Sequence, residues 1–461
     1  MNEVLRVFKD QTNKKLFKRI FLNSLPLAFA GLLAVLMGFI DAFFLSNYSL
    51  EAFKALSLVI PVLGIVGSIG IAIGAALINA IANFEKEGKK EVVYFSTVLL
   101  LVVCYILIVG VVIYLHDGFL VFNDLVLEVN KLIKDYFTQY WFAIIPFYFL
   151  VLILNITIQY LSFRDNNREI ISILLIVVFL NLLFNPLLIF YFNLGVRGAA
   201  WASILSLLCG ILYFSARDNR FTKLVKLIRQ ASVHFKTLLP ILKEQSKVAV
   251  SVFLAIAIFM TGGIFFNQLA IKQGSEFLAL IGLIEQLKLF MIFPTRGVTG
   301  SFLIQFEKAI ADKDTESYWK IYWIGTLIIG LICLVEGILI FIFSDALLAL
   351  FNIEAESSKQ LFEVLLTSLY IYFLVNIIAR CSQVGFITLG KSYLLFLQSL
   401  FAILFGYGCT YYLISHYGNE WFVDGQSIGG FIATTFFLVV FVVMLNKKKK
   451  TDRLAKNKTA S

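Results

Sequence analysis

A single acidic residue, Asp41, lies inside the apolar run LLAVLMGFIDAFFL near the start of the chain. Burying a carboxylate among apolar side chains is costly, and burial disfavours its charged form. Such a group can take up and release a proton, so this position predicts a residue that couples to a cation. Pro26 lies fifteen residues earlier in the same run and is expected to kink its helix, because proline lacks an N–H. The alternative interpretation places Asp41 at a membrane surface, capping the connection that starts with SNYSLE.

Three neutral polar residues offer further oxygen atoms for such a site. Asn181 and Asn185 are four residues apart, so they share one face of a helix. Together with Ser203 they supply carbonyl and hydroxyl oxygens, which suit a hard cation or a hydrogen-bonded carboxylate. The alternative is that these side chains hold neighbouring membrane helices together, a common use of Asn and Ser in membranes.

A second polar group interrupts a later apolar run. Glu285 and Lys288 are three residues apart and can pair within a helix, with Gln286 between them. Arg296 follows about two helical turns later. Ionisable side chains at such a depth face a bundle interior or a water-filled cavity, so they predict a second coupling site or a contact with cargo. The alternative is a structural ion pair.

Residue patterns argue against catalysis, a metal and a nucleotide-driven pump. The five cysteines lie in apolar runs without a CxxC spacing, and the three histidines form no HExxH motif. The phosphate-binding pattern GxxxxGK[ST] does not occur. We therefore expect no enzyme and no cofactor, and we expect the energy for any transport to come from an ion gradient.

The elements that carry these residues are predicted to be membrane helices. The 461 residues are 60% hydrophobic and 15% charged, with a mean hydropathy of +0.89. Soluble domains contain about 45–50% apolar and about 25% charged residues. The apolar runs are continuous rather than alternating, which predicts α-helices, because helices satisfy their own backbone hydrogen bonds in lipid. We predict twelve spans by length. Their bounds are 20–45, 53–82, 92–115, 136–163, 169–192, 198–216, 248–271, 277–306, 318–343, 361–386, 393–415 and 426–445.

The distribution of basic residues predicts the topology. The formal net charge is +10, and Lys and Arg concentrate in alternate connections, which is typical of the cytoplasmic side of membrane proteins. This pattern indicates a lipid bilayer rather than nucleic acid as the partner. We predict a multi-pass protein of a bacterial plasma (inner) membrane with both termini in the cytoplasm.

The longest basic stretch divides the chain into two halves. SLEAFKALSL from Ser49 is similar to GSEFLALIGL from Gly274, which suggests a repeat of six helices. The predicted parts are a basic amino-terminal segment (1–19), a first half (20–217), a basic linker (218–247), a second half (248–446) and a basic tail (447–461).

Four sequence features resemble the multidrug and toxic compound extrusion (MATE) family of cation-coupled antiporters. They are Pro26 with Asp41, LNLLFNPLLIF from Leu180, LGVRGAAWAS from Leu194, and QYLSFRDNN at the end of the fourth span. The resemblance covers the whole chain in length and helix count. It implies an all-α polytopic membrane protein in which two pseudo-symmetric six-helix lobes surround a central cavity.

The resemblance also implies a function and site residues. In that family a carboxylate in the first helix couples transport to H⁺ or Na⁺, and Asp41 matches it, with Asn181, Asn185 and Ser203 at the surrounding polar positions. Asn185 and Met37 differ from the Asp and Tyr that some members carry, which argues against a sodium site built on two acids. We expect a monomeric antiporter that exports amphipathic, cationic drugs and toxic compounds. The alternative is a flippase for lipid-linked oligosaccharides or lipids, which would need a more basic cavity.

Overall fold

The computed structural model describes residues 11–84, 89–122, 131–164, 166–217, 235–311, 314–351, 356–389, 391 and 393–460. These residues are almost entirely helical, as continuous apolar runs require in a solvent that offers the backbone no hydrogen bonds. The fourteen α-helices of the described part are α1 (Gln11–Tyr48), α2 (Leu50–Phe84), α3 (Lys90–Phe122), α4 (Lys131–Ala143), α5 (Ile145–Phe163), α6 (Asn167–Pro186), α7 (Val196–Arg217), α8 (Phe235–Lys272), α9 (Ser275–Ala311), α10 (Ser317–Ile342), α11 (Ser344–Leu350), α12 (Glu356–Thr388), α13 (Tyr393–Tyr417) and α14 (Phe422–Ala460).

The helices match the predicted spans. Eleven helices of the described residues are long and apolar enough to cross a membrane. Helix α9 is a further long helix and lies over the eighth predicted span, so all twelve predicted spans correspond to helices of the described part. The fourth predicted span is divided into α4 and α5 at Ile144, where Pro146 occupies the first turn of α5 and needs no helical acceptor for an N–H. The prediction of an all-α polytopic membrane protein is confirmed.

The connection between α6 and α7 is unusually tight. Helix α6 changes into a π-helical turn, Leu187–Tyr191, directly after Pro186, whose missing N–H weakens the regular ladder. Gly195 then adopts a left-handed backbone conformation with φ of 54°. A Cβ atom on Gly198 would lie 2.7 Å from the carbonyl carbon of Leu188, so only glycine allows α7 to pack this closely on the π-helical turn.

The chain forms two compact units. The amino-terminal unit comprises Leu36–Gly282 with Leu350–Asn352, and the carboxy-terminal unit comprises Met1–Val35, Leu283–Ala349 and Ile353–Ser461 as far as these residues are described. Helix α1 contributes residues to both. Much of the predicted basic linker, and the first ten residues of the predicted amino-terminal segment, lie outside the described residues. The division into five parts therefore stays a prediction.

Within the amino-terminal unit, α8 packs along α2. The side-chain amide of Asn267 donates to the carbonyl oxygen of Ser57 at 3.0 Å, and Met260 lies against Gly64. Small residues in such positions let helices approach closely and gain van der Waals contact in a membrane. This packing joins a helix of the predicted second half to a helix of the predicted first half.

The carboxy-terminal unit has an aromatic core. Phe302, Phe306, Tyr318 and Phe441 are fully buried there, and the Tyr322 ring stacks obliquely on Phe441 with centroids 5.1 Å apart. Helix α14 continues through the four consecutive lysines of the predicted basic tail to Ala460. The tail is therefore helical over its described residues.

The contact between α13 and α14 depends on Gly429. A Cβ atom there would lie 2.3 Å from the backbone nitrogen of Gly406, and backbone atoms cannot move aside without separating the helices. We predict that Gly429→Ala destabilises the protein by about 1–3 kcal/mol, as overpacking does, and lowers the melting temperature in detergent. Gly408→Ala is the control, because a Cβ at that site meets open space and alanine favours helix. Equal melting temperatures for the two variants would contradict this account of the helix contact.

Candidate functional site

Three helices of the amino-terminal unit bring four polar side chains together. Helix α1 supplies Asp41, α6 supplies Asn181 and Asn185, and α7 supplies Ser203. Asp41 is 5% exposed and the other three are 0% exposed, so the cluster is closed to solvent in this conformation. The tight connection between α6 and α7 sets the spacing, because it begins just after Asn185 and leads directly into α7, about two turns before Ser203.

The three neighbours all donate hydrogen bonds to the carboxylate of Asp41. The Nδ2 atoms of Asn181 and Asn185 lie 3.0 Å and 2.8 Å from Oδ1. The hydroxyl of Ser203 lies 2.5 Å from Oδ2. Asn181 Nδ2 also donates to Ser203 Oγ at 3.1 Å, and Asn185 Nδ2 to the carbonyl oxygen of Asn181 at 2.9 Å. Every amide hydrogen of the two asparagines therefore has an acceptor.

In this arrangement two buried acceptor atoms have no hydrogen-bond partner among the described residues. Because both amide nitrogens face the carboxylate, the Oδ1 atoms of Asn181 and Asn185 point elsewhere, buried and without a hydrogen-bond partner among the described residues. The hydroxyl of Ser203 both donates and accepts, so it can reverse its role if Asp41 gains a proton. The cluster can thus hold a bare carboxylate through charge-assisted hydrogen bonds, and it contains the groups needed to receive a proton or a small cation.

The structure brings together the four residues predicted from the sequence for this site, but their coupling role stays a prediction. Pro26 lies within α1, which continues on both sides of it, and its predicted role in bending the helix is likewise a prediction. Among the described residues, no group of three or more His, Cys, Asp or Glu side chains could hold a metal ion.

The second predicted group lies on α9 in the carboxy-terminal unit. Lys288 Nζ donates to Glu285 Oε1 at 2.8 Å, the pairing expected from their spacing. Gln286 is 2% exposed, and its Oε1 has no partner in the described part of the chain. Helix α9 passes through Arg296, but the side chain of that residue lies outside the described residues.

The sequence did not predict two further contacts of Lys288. Lys288 also donates to Gln426 Oε1, and its ammonium group lies 5.1 Å from the centroid of the Tyr372 ring. These residues lie on α14 and α12, far away in the sequence, so no local spacing could reveal the contact. The only signal was the polar start of the twelfth predicted span at Gln426.

The geometry around Asp41 makes a prediction about stability. Asp41→Leu would leave the donors of Asn181, Asn185 and Ser203 buried without an acceptor, and each such group costs about 1–3 kcal/mol. We therefore expect a large fall in melting temperature in detergent, or no folded protein. Asp41→Asn keeps the volume and one carbonyl acceptor, and its amide can donate to Ser203, so it should fold with a much smaller loss. Similar stability of the two variants would mean that the hydrogen bonds to Asp41 contribute little.

Comparisons with solved structures identify the fold. An inward-facing multidrug resistance MATE family transporter of the MOP superfamily is similar with a TM-score of 0.77 and 19% identity, over 90% of this chain and 95% of that one. An outward-facing MATE family transporter has a TM-score of 0.75 and 18% identity, over 94% and 97%. A MOP superfamily transporter from Pyrococcus furiosus, whose binding pocket of reverse polarity suggests a different function, has a TM-score of 0.73 and 19% identity, over 94% and 97%.

Sequence comparison gives one partial relative. A FAD transporter of Shewanella oneidensis is 31% identical over 205 residues, which are 42% of this chain and 44% of that protein. The chain thus spans less than half the length of the curated relative that it matches, and no family model matches the sequence. The resemblance inferred from the sequence is confirmed at the level of the fold, because the chain has the same fold as solved transporters of the MATE family.

Proposed function

We propose that this protein is a secondary active transporter in which Asp41 takes up and releases the coupling ion. The observation that supports this most strongly is the buried carboxylate that accepts three hydrogen bonds from α6 and α7 and forms no ion pair in the described part of the chain. An acid at this depth is expensive, and in membrane proteins such groups commonly belong to ion or proton pathways. A capping role at a membrane surface would not need three buried donors.

We propose the proton as the coupling ion. A proton can bind Asp41 Oδ2 and be shared with Ser203 Oγ without any movement of the asparagines. A sodium ion would need several oxygen ligands, and both asparagines would have to turn their amide nitrogens away from the carboxylate. Asp41 is also the one acid of this cluster, so adding a proton cancels its whole charge.

The mechanism that follows is alternating access driven by an ion gradient. Protonation removes the charge that holds the amide and hydroxyl donors of α6 and α7, so the helices around Asp41 can repack and change the affinity for cargo. Known structures of this fold include inward-facing and outward-facing conformations, which supports such a cycle. We place the protein in a bacterial plasma membrane as a monomer with both termini in the cytoplasm.

Two classes of cargo have support. The resemblance to the MATE family favours amphipathic organic cations, exported in exchange for the ion. The partial relative from Shewanella oneidensis transports FAD, which favours an anionic aromatic nucleotide instead. Both classes are amphipathic, and both could be moved by the same proton-driven cycle.

The coupling role can be tested in proteoliposomes that carry purified protein. We predict that an imposed pH gradient drives transport of ethidium or FAD by the wild-type protein, whereas a sodium gradient alone does not. Asp41→Asn should abolish the effect of the pH gradient, because the amide cannot exchange a proton in this range.

The matched control is Asp117→Asn, which removes an acid whose side chain is 94% exposed. It should transport like the wild-type protein. Equal activity of Asp41→Asn and wild type would contradict the proposed coupling role of Asp41. Transport driven by a sodium gradient alone would contradict the proposal that the coupling ion is a proton.

A further inference from the structure

A polar seam runs between α9 and α12 in the carboxy-terminal unit. Tyr372, Asn376 and Arg380 are spaced by four residues, so they share one face of α12. The side-chain amide of Asn376 donates to the carbonyl oxygen of Met291 at 3.3 Å and to Thr295 Oγ1 at 3.4 Å, both on α9. This face of α12 therefore lies against α9, the helix that carries Lys288.

Lys288 occupies one end of the seam. Its side chain is only 4% exposed, and its ammonium group lies over the ring of Tyr372 while it donates to Glu285 and Gln426. Because lysine can only donate, the carbonyl oxygen of Gln426 must face it. Gln426 as a residue is 8% exposed. Its Nε2 atom is buried and, among the described residues, has no hydrogen-bond partner. A hydrogen-bond donor beside a buried cation is an incomplete site for an anion.

Arg380 lies two helical turns from Tyr372, a rise of about 12 Å along α12. Its Nε donates to Asn376 Oδ1 at 3.3 Å and its Nη1 to Gln383 Oε1 at 3.0 Å, and both partners are neutral amides. No described acid forms an ion pair with it. Arg380 is the second cation on this face of α12, two turns from the contact between Lys288 and Tyr372.

The charges of the seam do not balance. Lys288 and Arg380 bring two positive charges, and among the described residues Glu285 is the one acid that pairs with either of them. Glu336, on α10, is a further acid, and its buried Oε2 atom has no hydrogen-bond partner in the described part of the chain. Cations inside membrane helices are either paired or belong to a substrate pathway.

We propose that Lys288 and the free amide nitrogen of Gln426 bind an anionic group of the cargo, a phosphate or a carboxylate, on a molecule whose aromatic ring contacts Tyr372. Ammonium and amide donors are groups that bind such oxyanions in proteins. With 32% of its side chain exposed, Glu285 is more accessible than Lys288 at 4%, so an incoming anion can displace it from Lys288. This inference rests on the proposed transport function and assigns the cargo to anionic aromatic compounds.

Three flavins with the same ring and different charge test this site. Riboflavin is neutral, whereas FMN carries one phosphate and FAD carries two. We expect the purified protein in lipid nanodiscs to bind FMN and FAD at least about tenfold more tightly than riboflavin, measured by flavin fluorescence. Lys288→Gln should weaken FMN and FAD by about tenfold or more and leave riboflavin unchanged.

Two further variants control for damage to the fold. The double variant Glu285→Gln with Lys288→Gln leaves no unpaired acid and should show the same selective loss. Lys54→Gln removes another buried lysine, at the start of α2 in the amino-terminal unit, and should bind all three flavins like the wild-type protein. A phosphate on a lipid headgroup is a second source of the same chemistry. Competition of anionic lipid with FMN in wild type, but not in Lys288→Gln, would assign the site to the lipid.

Several results would overturn the proposal. They are riboflavin binding as tightly as FMN, no flavin binding by the wild-type protein, or full FMN affinity in Lys288→Gln. Equilibrium binding needs no ion gradient, so a failure of this site is distinct from a failure of the coupling by Asp41, which only the transport assay examines.

Discussion

The carboxylate of Asp41 and its three hydrogen bonds are the constraint on which the amino-terminal unit depends. A bare carboxylate cannot be buried at 5% exposure without donors, and here the donors come from Asn181, Asn185 and Ser203 on two other helices. The requirement fixes how α1, α6 and α7 pack, because all four side chains must meet within hydrogen-bond distance. A change of charge on one residue therefore acts on three helices at once.

The tight connection between α6 and α7 makes this meeting possible. Pro186 ends the regular part of α6 directly after Asn185. After the π-helical turn the chain packs back on α6 at Gly198, where a Cβ atom would clash with Leu188.

The two polar clusters are built differently. The Asp41 cluster is closed and its donors are all used, whereas the Lys288 seam keeps an unused donor and an unmatched cation. The first suits a small ion that comes and goes, and the second suits a larger anionic ligand.

The sequence predicted much of this structure, for physical reasons that can be named. Apolar runs of membrane length predicted the helices, since lipid leaves the backbone no other choice. The cost of burying Asp41 indicated a functional residue, and the resemblance to the MATE family added its polar neighbours. The break at Ile144 within the fourth span was not predicted, because Pro146 in an apolar run does not reveal whether it kinks or starts a helix. The contacts of Lys288 with Gln426 and Tyr372 were not predicted either, because they join three helices that are distant in the sequence.

Infrared difference spectroscopy on purified protein during a pH titration tests the central claim most directly, since it detects a protonated carboxyl group without any cargo. If Asp41 exchanges a proton while its neighbours stay in place, the wild-type spectrum should contain a carboxyl band that changes with pH and is absent in Asp41→Asn. The band should shift in Ser203→Ala, because the hydroxyl contacts Asp41 Oδ2. A carboxyl band that persists unchanged in Asp41→Asn would assign the exchanging proton to another acid and contradict the account.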